Sequence, residues 1–300
     1  MRLNAFCMAC MISSQEAKIR RFADEDKKAQ YMREVMKLMA ESDTSISSPA
    51  LLVPISEIYE RYWGKTDGMQ EAKKKYNDLL LGMEDTLESH IRAQTDPLEV
   101  ALCYARIGNY IDFSALKEIS EETLLSMFEE QDRISLDPVE YGCMKRDLET
   151  ADTLVYLTDN CGEVVLDKIV IRLLKEQYPD LKITAVVRGC AVTNDVDMEA
   201  AEYVGLTELV EVLGNGSKIA GTELAFVSES VRERIEQADL IISKGQGNFE
   251  TIHGCGFNIY YLFLCKCEWF MQRFDAGRLE GMFVNEKRIQ KNCEKEGEIR

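Results

Sequence analysis

From Asp152 onward, short β-branched runs alternate with stretches of helical periodicity, and this alternation limits the fold more than any other feature of the chain. It is the pattern of βαβ units and a mainly parallel sheet. Strands are expected at Thr153 to Leu157, Lys182 to Val187, Leu209 to Leu213, Asp239 to Ser243 and Asn258 to Leu264. Helices are expected between them over Val164 to Gln177, Asp197 to Val204 and Ser228 to Gln237. Everything before reads as helix, which places a boundary near residue 150 between a helical domain, 1–150, and an α/β domain, 151–300.

In the first half, Ile19, Phe22, Tyr31, Val35, Leu38 and Met39 recur at helical spacing, so one helix is expected from Gln15 to Met39 with Ser13 or Ser14 as its cap. A second runs from Met69 to about Arg92 along the stripe Ala72, Tyr76, Leu79, Leu80, Met83, Leu87 and Ile91. Pro97 opens a third, since proline suits the first turn of a helix. Ser120 caps a fourth, with Glu121 and Glu122 favoured by the helix dipole. These stripes read as core. The charged stretch Asn285 to Arg300 reads as a polar end segment.

Lys and Arg total 36 against 53 Asp and Glu, a formal charge of −17. Such a chain repels nucleic acid and anionic membrane, so an anionic substrate has to be met by a local device such as a metal ion. No stretch approaches the ~20 apolar residues of a membrane span, and the start Met1-Arg2-Leu3-Asn4-Ala5-Phe6 lacks a signal-peptide core. The expectation is a cytoplasmic protein without nucleic-acid or membrane partners. Ten cysteines are scattered without framework spacing and read as reduced thiols. The pair Cys7 and Cys10 forms a CxxC, and Cys265-Lys266-Cys267 lies near the other end. Inert buried thiols are the first reading of these; a structural zinc held by Cys7, Cys10 and Cys267 is the alternative, available only if both ends meet.

Three strand tips carry the chemistry. In an open α/β sheet, ligands bind beyond the carboxyl ends of the strands. The first tip, Thr158-Asp159-Asn160-Cys161-Gly162-Glu163, offers a carboxylate beside an amide carbonyl, hard oxygens suited to Mg²⁺ or Mn²⁺. The competing reading is a helix cap, because Asp and Asn also favour that position. The second tip runs from Arg188 to Asp197: Asp195 can complete a three-ligand set with Asp159 and Asn160, Arg188 can clamp an anion or serve as an ion-pair partner, and Asp197 caps the next helix. The third, Ser243-Lys244-Gly245-Gln246-Gly247-Asn248, is a Gly-spaced turn whose backbone N–H groups, Gly245 among them, can cradle phosphate beside the Lys244 ammonium. It is not a P-loop, because the lysine precedes the glycines. His90 and His253 are the only histidines, which excludes a His-rich metal centre; His90 reads as structural, and His253 as a surface or packing residue, with a pocket role as the alternative because it follows the Lys244 loop.

Taken together, Asp159-Asn160-Cys161-Gly162-Glu163, Asn194-Asp195-Val196-Asp197 and Lys244-Gly245-Gln246-Gly247-Asn248-Phe249-Glu250 resemble the metal-dependent damage-control phosphatases, the family first catalogued as domain of unknown function eighty-nine. Further likeness lies in the CxxC, which resembles the branch common in prokaryotes, in Gly108-Asn109-Tyr110-Ile111-Asp112-Phe113, and in Lys266-Cys267. The resemblance implies a helical amino-terminal domain on a three-layer α/β/α, Rossmann-like domain. It implies a divalent ion (Mn²⁺, Mg²⁺, Co²⁺ or Ni²⁺) on Asp159, Asn160 and Asp195, phosphate on Lys244, and Glu163, Arg188 and Asn248 along the substrate, with Asp112 and Asn109 reaching in from the helices. The implied partner is a small phosphorylated metabolite, a sugar phosphate or a damaged cofactor. Glu268-Trp269-Phe270 departs from the smaller apolar residues of the family pattern.

The implied reaction is hydrolysis of a phosphate monoester by metal-activated water, with Asp159 and Asp195 as the catalytic carboxylates and Asp195 or Glu163 orienting the water. A covalent aspartyl-phosphate is not expected, because Asp159 is followed by Asn160 and Cys161 rather than by a DxD arrangement. Two other classes remain open: a sensor that binds a phosphometabolite without turnover, and a methyltransferase, which the absence of a glycine-rich first turn disfavours.

Overall fold

The computed structural model describes residues 1–65, 69–108, 110, 126, 128 and 135–289. Its first three helices form a small unit with an apolar cluster of its own. Helix α1 (Ala5–Ile19) starts at Asn4, whose side chain accepts from the Cys7 N–H. Helix α2 (Glu25–Glu41) starts at Asp24, which accepts from Lys27 N–H and is followed by two acids in the first turn. The single helix expected from Gln15 to Met39 is thus two helices, and Ser13 and Ser14 lie inside the first of them. Apolar spacing runs through the break, whereas the cap at Asp24 ends one helix direction and begins another. Helix α3 (Ser48–Trp63), which carries Pro54 in its interior, was not among the expected helices. Packing explains its persistence: Leu51, Ile55 and Tyr59 close on Tyr31, Val35, Met11 and Ile19, and Phe22 stacks on Trp63 at 4.0 Å.

Helices α4 (Gln70–Arg92) and α5 (Pro97–Gly108) stand where the periodicity placed them, and α6 (Pro138–Leu148) is an addition capped by Asp137. The helix expected from Ser120 lies outside the described residues. Strand β1 (Thr153–Leu157), α7 (Glu163–Gln177), β2 (Lys182–Val187), α8 (Met198–Tyr203), β3 (Glu211–Gly214), α9 (Glu229–Glu236), β4 (Leu240–Lys244), α10 (Gly245–Ile252), β5 (Ile259–Leu264) and α11 (Glu268–Phe274) follow. Strand β6 (Gly281–Asn285) completes the sheet. It was not foreseen, and Asn285 and Glu286 are buried rather than part of a polar end.

The strand order is β3-β2-β1-β4-β5-β6, parallel except for β6, which runs antiparallel on the β5 edge. Strand side chains alternate between two faces. Leu154, Tyr156, Ile183, Ala185, Leu240, Ile242, Tyr260 and Leu262 pack under α4 to α8. Val155, Leu157, Val186, Ile241, Tyr261 and Phe263 pack against α9 to α11. The result is three layers, α/β/α. The apolar cluster under α4 and α5 is continuous with that face of the sheet, so residues on both sides of position 150 share one core. Because the chain runs outward from β1 to β3 and then returns to β4, the order reverses between β1 and β4, and a crevice opens at their carboxyl ends.

Candidate active site

Residues after β1, β2 and β4 converge at that crevice. The backbone ties the first two tips together: Val196 N–H donates to Asp159 C=O at 2.9 Å, Cys161 N–H to Asn194 C=O at 2.9 Å, and Asn160 and Asp195 form an antiparallel bridge. This brings the Asp159 and Asp195 carboxylates onto one guanidinium. Arg188, 1% exposed, donates through Nε to Asp195 at 2.5 Å and through Nη2 to Asp159 at 3.4 Å. Its Nη1 reaches Asn248 Oδ1 at 3.2 Å.

Gly245, the residue after β4, makes room for Asp159. A Cβ there would lie 2.0 Å from Asp159 Oδ2, and the backbone φ of +77° is one that favours glycine. What the sequence suggested as a Gly-spaced turn is the first turn of α10, directed at this carboxylate. Asn248 on the same helix is buried with its amide fully used: Nδ2 donates to the carbonyls of Thr158 and Lys244, while Oδ1 accepts from Arg188 and Thr222. It fastens α10 to the tips of β1 and β2.

Asn160 turns its nitrogen to Asp159 (2.7 Å) and Glu163 (2.9 Å), and its oxygen accepts from Asn194 at 2.6 Å. The amide is oriented by two carboxylates that need donors, so its oxygen does not stand beside Asp159 as the sequence suggested. Lys244, expected to face a phosphate, is completely buried. It donates to Glu163 Oε1 at 2.5 Å, Asp167 Oδ1 at 2.7 Å and Ala105 C=O at 3.0 Å. All three of its N–H donors are taken, so contact with a phosphoryl oxygen requires one partner to let go. Asp167 also accepts from the Tyr156 hydroxyl at 2.7 Å.

The charges divide unevenly. Burial first, then the facing Asp195 and Glu163, push the Asp159 carboxyl up to about 7, with Arg188 and Lys266 pulling the other way. Burial likewise raises Asp167 to about 6 against the pull of Lys244. Cys161, although inside the first tip, is a buried thiol pushed up to about 12, chiefly by burial, which makes it inert as a nucleophile.

Among the described residues no three His, Cys, Asp or Glu side chains form a group able to hold a metal ion. The alternative zinc set of Cys7, Cys10 and Cys267 is not gathered among the described residues, although α1 packs near α11 with the Phe6 and Trp269 rings 6.1 Å apart; nor are these thiols buried as first read, since Cys10 is exposed and Cys7 and Cys267 are only partly covered. Asp159 and Asp195 are a different case. They are two hard, nearly buried carboxylates sharing one guanidinium, with the ionisation of Asp159 suppressed by burial and then by Asp195, and this donor chemistry fits a divalent cation. Asn109 and Asp112 lie outside the described residues.

Sequence reasoning missed the parts that hold the tips in place. Asn77 of α4 accepts from Gly162 N–H at 2.6 Å, and Lys73, one turn earlier, pairs with Asp197 at 2.9 Å. Asp197 in turn caps α8 through Ala200 N–H. The signal was present: Lys73 and Asn77, and likewise Glu163 and Asp167, are polar residues at i and i+4, on a single helix face that periodicity assigns to the core.

A family model described as the damage-control phosphatase ARMT1-like domain matches residues 4–281. The chain belongs to this family. It is 29% identical over 274 residues to a damage-control phosphatase of Pyrococcus horikoshii, covering 89% of this chain and 92% of that one. A damage-control phosphatase of Archaeoglobus fulgidus is 27% identical over 281 residues, covering 89% and 93%. The crystal structure of a Pyrococcus horikoshii protein of the domain-of-unknown-function eighty-nine family superimposes with a TM-score of 0.80 at 27% identity, over 95% of this chain and 99% of that one. The ARMT1-like match thus takes in all three strand tips together with α4 and α5, the helices that hold them.

Proposed function

We propose that this ARMT1-like protein is a metal-dependent phosphatase that hydrolyses phosphate monoesters of small metabolites, sugar phosphates or damaged phosphorylated compounds. The observation that carries the reading is the Asp159–Arg188–Asp195 cluster at the reversal point of the sheet, in a chain whose relatives are named damage-control phosphatases. Asp159 and Asp195 would hold the ion, with Asn160 contributing its oxygen once its amide turns. A divalent ion bound there supplies Lewis-acid polarisation of a phosphoryl oxygen and a water of lowered pKa.

The chain's own residues do the rest. Arg188 keeps both carboxylates facing the crevice and offsets part of their charge. Asp195 or Glu163 would orient the attacking water, as the sequence suggested. The half-buried Lys266 lies within electrostatic range of Asp159 and is suited to steady phosphoryl oxygens. Glu163 holds Asn160 through its second oxygen, and Lys244 fixes Glu163 in that position while standing one link behind the phosphoryl group. Gly245 and Gln246 present the start of α10 to the same space, where developing negative charge is favoured.

The test is turnover of an aryl phosphate and a panel of sugar phosphates by purified protein with Mn²⁺, Co²⁺, Ni²⁺ or Mg²⁺. Metal-dependent release of phosphate is expected, with D159A and D195A at least ~10³-fold slower in kcat while remaining folded. Full metal-dependent turnover in either variant would show the site to be elsewhere.

A further inference from the structure

Five cations are buried among the described residues: Lys73, Arg106, Lys168, Arg188 and Lys244. Four of them face a carboxylate, namely Lys73 with Asp197, Lys168 with Glu84, Arg188 with Asp195, and Lys244 with Glu163. Arg106, 3% exposed, has no carboxylate partner among the described residues. Its Nη1 donates to the Gly281 carbonyl at a long 3.3 Å, and its Nε has no hydrogen-bond partner. Burial pulls its pKa below the usual guanidinium range. A buried polar atom left without a hydrogen-bond partner is costly and calls for one, a water, an ion or a ligand.

The sheet makes room for this side chain. A Cβ at Gly281 would lie 2.3 Å from Arg106 Nε and 2.5 Å from Cζ, so only glycine fits where β6 begins. Gly281 pairs with Leu264, the last residue of β5, two positions before Lys266. The guanidinium therefore stands by the carboxyl end of β5 and the start of β6, at the end of the sheet where the crevice opens. One residue earlier in α5, the Ala105 carbonyl accepts from Lys244, so the same helical turn borders the inner cluster of the site. At about 4.8 Å per strand, β5 and β6 lie roughly 10–14 Å from β1 across the sheet, so Arg106 borders the crevice edge well to one side of the β1 tip. That separation is too long for the phosphoryl group being transferred and matches the far end of a sugar-sized substrate.

Building on the phosphatase reading, we propose that Arg106 is an anion subsite that selects substrates carrying a second anionic group, a phosphate or a carboxylate, at the end remote from the scissile ester. The experiment compares wild type, R106M and R106K on glucose 6-phosphate, glucose 1,6-bisphosphate and 6-phosphogluconate. Wild type is expected to prefer the bisphosphate or the phosphogluconate over glucose 6-phosphate by tenfold or more in kcat/KM. Which of the two is preferred identifies the second group. The preference is expected to collapse in R106M through KM rather than kcat and to return in part in R106K. R106M is also expected to melt at or above the wild-type temperature, since it removes a buried guanidinium whose Nε is unsatisfied, whereas a purely structural arginine would lower it. Should R106M not fold, R106Q carries the same comparison.

Equal preference in wild type and R106M, or no preference in wild type, overturns the inference. If none of the three compounds is turned over, the phosphatase reading fails separately. Calorimetric binding of the same compounds then decides: tighter binding of a doubly anionic compound that is lost in R106M supports the subsite, and equal binding ends it.

Discussion

Two polar clusters lie within a few residues of each other at the β1 tip, and they are built on opposite principles. In the inner one, Lys244 meets Glu163 and Asp167, Tyr156 adds a hydroxyl, and every member is completely buried. In the outer one, Asp159 and Asp195 share Arg188, Asp159 keeps 12% of its side chain exposed, and burial followed by its acidic neighbours pushes its carboxyl up to about 7. A closed, hydrogen-bonded cluster fixes geometry. An open cluster, reached from the crevice, has capacity for a cation or a proton, and this is where chemistry belongs. The contrast separates the residues that react from those that aim them, although Glu163 and Lys244 of the inner cluster come from the same motifs as Asp159 and Asp195.

The inner cluster is the one whose disruption should be felt most in stability. K244M leaves Glu163 and Asp167 buried without their cation, so a loss of about 3–5 kcal/mol is expected in denaturant unfolding. A variant that keeps its stability and loses only phosphate affinity would instead put Lys244 at the substrate and blur the division.

The outer cluster should respond with the opposite sign. Because the folded-state pKa of Asp159 is raised from 3.8 to about 7, the protein binds an extra proton between those values. Stability attributable to this group is therefore present below pH 4 and lost as pH rises through 7. D159N removes the ionisation, so without added metal it should be more stable than wild type by roughly 1–3 kcal/mol at pH 8. The gap should close below pH 4. A pH-independent difference between the two proteins would count against an acid-crowded site.

A smaller effect is expected behind both clusters. N77A leaves the Gly162 N–H unpaired, which should cost about 1–2 kcal/mol and lower kcat more than it raises KM, because the β1 tip loses its anchor on α4. An unaltered kcat would mean that the tip keeps its shape without that anchor.

The strands were legible because β-branched runs such as Ile183 to Val187 and Leu240 to Ile242 have no other comfortable conformation, and their tips were legible because Asp159, Asn160, Asp195 and Lys244 are costly residues to place at strand ends. Helix α3 was not, since Pro54 breaks the local rule and only packing against α2 restores the helix. Strand β6 was not, because an edge strand of Gly281, Met282, Phe283, Val284 and Asn285 is defined by its pairing with β5 rather than by its own pattern. At the site, residue identity showed which side chains matter but not which way they face. Asn160 and Lys244 took partners that only the folded arrangement supplies, and Arg106 is an ordinary helical residue until the β5 and β6 edge closes on it.

The central claim is that Asp159 and Asp195 form a site for one divalent cation. Calorimetric titration of Mn²⁺ into the wild-type protein and into D159A and D195A tests it most directly. One ion per chain, with binding abolished in both variants and melting temperatures otherwise retained, is the result expected from this geometry. Undiminished Mn²⁺ binding in D159A and D195A would contradict it.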